Sequence, residues 1–161
     1  MFYLDLFTAL NRHEVGYVLI GGLAVALHGV ERNTMDVDVC VVVSPDNLAR
    51  LAAAARELKL QPMLPVALSA LEDIETLKRW HTERHLQAFA LRSDQLAGVT
   101  LDILLFPPVN PQDMVQRAQR LDIAGVQVPL ACIDDLIALK QSAGRPIDLA
   151  DIEHLKRLQK P

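Results

Sequence analysis

The sequence predicts an α+β protein, with short apolar strands set between helices and a pair of helices closing the chain. Three features carry that expectation. Runs rich in Val, Ile and Leu recur between Gly, Pro and Ser punctuation, which is the pattern of strands. Other segments repeat their apolar residues at helical spacing. A strand followed at once by a helical segment, at 37–43 and 47–60, suggests a crossover over a sheet.

Taken in order, Phe2, Leu6 and Leu10 fall at i, i+4 spacing beside Tyr3 and Phe7, so residues 2–11 form an amphipathic helix that packs on the sheet. Gly16 ends that unit. Residues 17–20, YVLI, are a buried strand feeding a Gly21-Gly22 turn, and 23–28 are small helix formers that close at Gly29. A loop over 30–35 leads to the strand at 37–43. Ser44 as N-cap and Pro45 at the first helical position open the helix over 47–60. Prolines within 61–65 break the chain, after which 66–81 is helical with Leu68, Leu71, Ile74 and Leu77 on one core stripe. Strands at 84–91 and 99–106 are joined by SDQLAG as a hairpin, and Pro107-Pro108 halts the second. Pro111 starts a helix to 119, 123–128 resembles a small hairpin, and helices at 133–143 and 147–159 are divided by Gly144 and Pro146. With no repeat, low-complexity run or linker, one domain over 1–161 is expected.

Composition narrows the function classes. A chain of 161 residues, 51% hydrophobic, buries about two-thirds of its unfolded surface without disulfides. No apolar run approaches the roughly 20 residues of a membrane span, and the N-terminus carries Asp5 and no basic region, so a soluble cytoplasmic protein is expected. Cys40 and Cys132 lie in apolar runs without CxxC spacing and read as reduced thiols. Lys and Arg total 16 against 20 for Asp and Glu, a net of −4, and aromatics are 4%. General coating of nucleic acid, which needs a basic stripe and stacking rings, is disfavoured; a local basic pocket is not.

The chemistry-bearing stretch is 17–43. Successive strand residues alternate faces, so Asp36 and Asp38 project to one side and Val37 and Val39 to the other. Paired carboxylates disfavour each other's ionisation unless a cation sits between them, and Mg2+ takes carboxylates plus substrate phosphates. Gly21 and Gly22 let backbone N–H groups approach a phosphate closely, with a helix start just beyond. Asp102, in VTLDILLF, is a charge in an otherwise apolar strand. If its strand lies beside that of Asp38, the three carboxylates form a triad able to bind two metal ions. Asp36 and Asp38 would then bridge both, while Asp102 holds the catalytic ion and helps deprotonate an attacking hydroxyl. The reaction such a site suits is in-line attack on the α-phosphate of a nucleotide, with pyrophosphate leaving. The plainer alternative leaves Asp36 and Asp38 solvated, or paired with Arg32 or Arg92.

GGLAVALHGVERNTMDVDV resembles the hG[GS] and Dx[DE] signature of the DNA polymerase β-like nucleotidyltransferase superfamily, and LDILL resembles its third-carboxylate strand. The run GGxAVxxHGxxRxTxDxDV and the later LIALKQSAGRPIDLADIEHL are similar to small bacterial nucleotidyltransferases of the abortive-infection, AbiEii-type toxin group. The resemblance implies a nucleotidyltransferase-type mixed sheet flanked by helices, binding of NTP and Mg2+, and a toxin-antitoxin setting. It carries Gly21 and Gly22 onto the phosphate turn, Asp36 and Asp38 onto the metal carboxylates and Asp102 onto the third carboxylate. Lys140 and Arg145 fall on a KxxAxxxR-like region, Arg145 one residue early. Gly22 stands where many relatives have Ser, so this turn is expected to hold phosphate by backbone alone.

Other residues keep two readings. Arg32 and Thr34 are candidate phosphate contacts; otherwise Arg32 neutralises the triad and Thr34 fixes a turn. Arg92 is a candidate nucleotide contact. Lys140 is either a phosphate-binding cation or a solvated lysine near a helix C-terminus, and Arg145 either a contact or part of a plain turn. Asp148 and Asp151 read as charges compensating a helix dipole, His28 and Trp80 as structural, and His81 with His85 lacks a third ligand at zinc spacing. The expected function is Mg2+-dependent transfer of an NMP from an NTP to a hydroxyl on RNA such as tRNA, on protein or on a small molecule. The other reading is a nucleotide-binding regulatory or antitoxin-like module partnered with a cognate toxin or antitoxin protein, with little catalysis and no membrane partner.

Overall fold

Strand and helix follow one another in the order that the apolar runs dictate, with boundaries set by local capping. The computed structural model describes residues 2–94 and 99–161. Helix α1 (Phe2–Arg12) leads into β1 (Tyr17–Ile20), all four residues of which are buried. Helix α2 (Gly21–Leu27) begins directly after the strand, so the two glycines form its first turn rather than a separate connection. Strand β2 (Val37–Val41) stops two residues before the expected Val43, and the chain turns at Ser44, whose Oγ accepts the Asn47 N–H at 3.2 Å and caps α3 (Pro45–Glu57).

The region expected as one helix over 66–81 divides instead. A 3-10 turn (Leu68–Glu72) is followed by α4 (Ile74–Arg84), because Asp73 caps a new helix by accepting from the Thr76 N–H at 3.0 Å and the Thr76 hydroxyl at 2.7 Å. The short β3 (Gln61–Pro62) lies in the stretch expected only to break the chain; as an edge strand it tolerates a proline with no N–H to donate. Because α4 runs to Arg84, the next strand starts late, as β4 (Ala88–Arg92), paired with β5 (Thr100–Leu104). The middle of the connection between them, 95–98, lies outside the described residues. Helix α5 (Pro111–Arg117) is capped by Asn110, and the expected small hairpin is longer, β6 (Gln119–Ile123) and β7 (Val126–Leu130). Ala124 and Gly125 both have positive φ, 51° and 85°, as a two-residue hairpin turn requires. The C-terminal pair is α6 (Ile133–Ala143) and α7 (Pro146–Gln159).

Among the described residues the seven strands form one mixed sheet in the order β3-β4-β5-β2-β1-β7-β6. β2 runs antiparallel to β1 but parallel to β5. Register places Phe89, Ile103, Val39 and Leu19 side by side across four strands, all fully buried, and this row anchors the core on one face. Helix α1 rests on β7 and α3. Cys40 is buried in the sheet, Cys132 is half-buried, and both are free thiols. No helix among the described residues is long and apolar enough to cross a membrane.

Asn47 fastens the two ends of the central hairpin. Its Oδ1 accepts the Gly16 N–H at 2.7 Å, and its Nδ2 donates to the Gly16 carbonyl at 2.9 Å and the Val42 carbonyl at 2.7 Å. Asn47→Ala would remove three bonds and leave the part-buried Gly16 N–H and Val42 carbonyl without these partners, while Val42 N–H still reaches the Gly16 carbonyl, so a loss of about 2 kcal/mol is expected in urea unfolding. An unchanged midpoint would show that these bonds are replaced.

Candidate active site

The floor of the site follows from register. Directly paired residues share a face, and Ile20, Asp38, Asp102 and Ala90 stand in one row across β1, β2, β5 and β4. Neighbouring strands are about 4.8 Å apart, so Asp38 and Asp102 are adjacent carboxylates. Asp36 lies just before β2, where its Oδ1 accepts the Thr100 N–H at 3.3 Å. Burial, followed by the negative charges of Asp102 and Asp36, pushes the Asp38 carboxyl up to about 6, with Lys140 and Arg145 pulling the other way. Burial and then Asp36 also push Asp102 upward.

Gly21 is dictated by this floor. Its φ is +72°, and a Cβ there would sit 2.1 Å from Asp38 Oδ2 and 2.7 Å from Asp38 Cβ, which no side chain can tolerate. At Gly22 a Cβ would meet the Arg32 guanidinium, with Nη2 at 3.0 Å. Arg32 Nε in turn lies 3.2 Å from Asp151 Oδ2, and Lys140 Nζ lies 2.8 Å from the same oxygen and 3.4 Å from Asp148 Oδ1. Asp148 also accepts the Arg145 backbone N–H at 3.1 Å and its Nε at 2.7 Å. Burial alone would raise Asp148, but the Arg145 hydrogen bonds and the charges of Arg145 and Lys140 hold it below the usual carboxylate range.

These elements enclose a cavity of about 320 Å3. Gly21, Gly22, Arg32, Thr34, Asp36, Asp38, Asp102 and Lys140 all line it, as does Arg145. Arg92 does not. It shares the face of Asp102 but pairs with Thr100 at the far end of β4, beyond the residues that line the cavity.

By sequence, Asp148 and Asp151 read as dipole partners of a helix start. Asp148 does serve that start, but both are buried, and so is Lys140, which is therefore not the solvated lysine of the plainer alternative. The available signal was spacing: Asp148, Asp151, Ile152 and Leu155 form the buried stripe of α7, where a carboxylate demands a partner. The apolar wall of Leu136 and Leu139 on α6 was also missed, as was the bidentate pair of Arg117 with Asp135, at 3.0 and 2.9 Å, that fixes the start of that helix. His28 donates from Nε2 to the Ala131 carbonyl at 2.8 Å, tying the end of α2 to the connection before α6.

Among the described residues no three His, Cys, Asp or Glu side chains are arranged as a metal cage. Mg2+ seldom needs one, since it is usually held by one or two carboxylates plus substrate phosphates. The Asp38 and Asp102 pair, crowded and short of positive charge, fits that donor set.

The profile of a family described as a nucleotidyltransferase of unknown function, DUF6036, matches residues 3–159. The chain belongs to that family. Similar folds are found in solved structures. The solution structure of the antibiotic-resistance factor ANT(2'')-Ia aligns with TM-score 0.56 at 16% identity, covering 96% of this chain and 78% of that one. The crystal structure of ANT(2'')-Ia in complex with adenylyl-2''-tobramycin gives 0.55 at 15% identity, covering 96% and 90%. An antigenic nucleotidyltransferase-like protein from Paracoccidioides brasiliensis gives 0.57 at 21% identity, covering 96% and 73%. At such identities the likeness is one of fold. No curated protein sequence matches the chain. The DUF6036 match supports the nucleotidyltransferase superfamily expected from the glycine and aspartate motifs, but not the finer AbiEii-type grouping.

The crowded floor has a measurable cost in this DUF6036 chain. Because the folded-state pKa of Asp38 lies above its ordinary value of 3.8, ionising it opposes folding. That cost is absent below about pH 4, grows through pH 6 and is complete above. In EDTA, Asp38→Asn is expected to gain about 1–3 kcal/mol at pH 7.5, with the gain vanishing near pH 4. Denaturant titrations at the two pH values check this, and an equal gain at both would contradict it.

Proposed function

We propose that this chain, as one nucleotidyltransferase domain, moves an NMP from an NTP to an acceptor hydroxyl in a Mg2+-dependent reaction in the cytoplasm. The observation that carries the reading is the in-register pair Asp38 and Asp102 on the floor of a cavity whose facing wall holds Arg32, Lys140 and Arg145. Carboxylates suit metal ions, cations suit phosphates, and one cavity of about 320 Å3 holds both.

In this reading Asp38 and Asp102 would hold the metal as a pair, with Asp36 beside them adding negative charge rather than completing a three-carboxylate cage. Bound there, Mg2+ would neutralise phosphate charge and make the acceptor hydroxyl easier to deprotonate. Gly21 keeps the backbone close to the nucleotide phosphates, since no Cβ stands between them and Asp38. Arg32, Lys140 and Arg145 supply positive charge to the triphosphate, Thr34, which lines the same cavity, offers a hydroxyl to a phosphate, and Asp102 takes the acceptor's proton. Leu136 and Leu139 give the nucleobase an aliphatic surface. The acceptor is a hydroxyl on a small molecule, tRNA or protein. The adenylyl-2''-tobramycin bound to the structural neighbour supports the small-molecule arm.

One observation favours a second reading. Lys140 and Arg32 are already paired with buried aspartates, so the cationic wall is partly neutralised before any phosphate arrives. A module that binds nucleotide with little turnover, acting as a regulatory or antitoxin-like partner in an AbiEii-like toxin-antitoxin pair, would show that arrangement.

Protein incubated with Mg2+, each labelled NTP and tRNA, lysate protein or aminoglycosides is expected to transfer label and release pyrophosphate. Asp38→Ala and Asp102→Ala should each lower the rate by at least about 100-fold, as EDTA should. Transfer that survives Asp36→Ala and Asp38→Ala together would sink the mechanism. Tight NTP binding with no pyrophosphate released to any acceptor would favour the second reading.

A further inference from the structure

The space that a side chain at position 22 would fill is taken by a guanidinium. An ideal Cβ on Gly22 lies 3.0 Å from Arg32 Nη2, 3.1 Å from Nε and 3.2 Å from Cζ, so the plane of Arg32 rests against the turn itself. Arg32 reaches there from the loop before β2, with its side chain 18% exposed and its one ion-pair partner among the described residues the buried Asp151. That contact, 3.2 Å to Nε, is close but not aligned as a hydrogen bond, and the terminal nitrogens of Arg32 form no hydrogen bond among the described residues. Both Arg32 and Gly22 line the cavity. A guanidinium presents its donors as a rigid planar fork suited to paired phosphate oxygens, so a side chain held at Nε leaves its outer edge free for that use.

We propose that Arg32 supplies the phosphate-binding side chain of this turn, that Gly22 exists to admit it, and that Asp151 is the positioning residue that sets its reach. The proposal rests on the nucleotidyl-transfer reading above. It corrects the expectation that the turn holds phosphate by backbone alone: the hydroxyl missing at position 22 is replaced by a charge delivered from position 32. Asp151 Oδ2 also lies 2.8 Å from Lys140 Nζ, again as an ion pair not aligned as a hydrogen bond, so one buried oxygen stands between two cations. Restoring a hydroxyl with Gly22→Ser would not add a phosphate contact. It would displace the better one.

Calorimetric titration with α,β-methylene-ATP and Mg2+, and separately with inorganic tripolyphosphate, tests this on the full chain. Arg32→Ala is expected to weaken both ligands by about 10- to 100-fold, the loss of a charged hydrogen-bonding pair. Arg32→Lys should recover only part of it, because an ammonium lacks the fork. Gly22→Ala and Gly22→Ser should both weaken binding while the thermal melt stays cooperative. Millimolar guanidinium should partly restore Arg32→Ala, whose gap above Gly22 is open, but not Gly22→Ser. Adding Asp151→Asn to Arg32→Ala should abolish that rescue, which a merely structural aspartate would not do. If Arg32→Ala does not fold, Arg32→Lys and Gly22→Ser answer the same question. Wild-type affinity in Gly22→Ser, or in Arg32→Ala while the wild type binds, overturns the proposal alone. A wild type that binds neither ligand overturns it together with the reading beneath it.

Discussion

The rest of the site answers to one constraint, the parallel pairing of β2 with β5 that sets Asp38 against Asp102. Two half-buried carboxylates on neighbouring strands repel, and the sheet gives them no room to part, because the reverse face of both strands is a fully buried row of Val39 and Ile103. Slipping either strand by one residue would turn the aspartates inward and expose that row. The hydrophobic face therefore holds the electrostatic strain in place. Stability is given up to keep that negative charge unpaired, an arrangement of the kind that functional sites trade stability for.

Charge balance across the cavity shows the same logic. Asp36, Asp38, Asp102, Asp148 and Asp151 face Arg32, Lys140 and Arg145, an excess of two negative charges that one divalent cation would offset. The carboxylates are not equivalent. Those on the sheet have no ion-pair partner among the described residues, while those on α7 are spent on holding cations. The division of labour follows from the elements that carry them: a strand row aims side chains into the cavity, and a helix stripe aims them between α6 and α7.

The floor was legible in the sequence because strand geometry is simple. Asp36 and Asp38 alternate with buried valines, and Asp102 interrupts an apolar strand, so their common face followed once β2 and β5 proved adjacent. The Gly-Gly pair was legible as a close approach but not for its reasons, since what each glycine avoids, Asp38 or Arg32, comes from another segment. The α7 aspartates were not legible as buried, because acidic residues are ordinary in a first helical turn and only the stripe shared with Ile152 and Leu155 marks them. Among the elements, β3 was hidden by its proline and the break at Asp73 by an unbroken apolar period, where a cap outweighed periodicity. Arg92 shares a face with Asp102, but a shared face does not fix distance along the strand, and Arg92 stands one step beyond the lining of the cavity.

The pair of Arg117 and Asp135 has a consequence for how wide the cavity stands. Helix α5 packs against β1 and β2, which carry the floor, and its last turn grips the first turn of α6, which carries Lys140 to the wall. Floor and wall are thus callipered by a bond outside the cavity. Asp135 is buried but Arg117 is half exposed, so one jaw of the calliper sits in solvent, open to salt and to any anion that competes for a guanidinium.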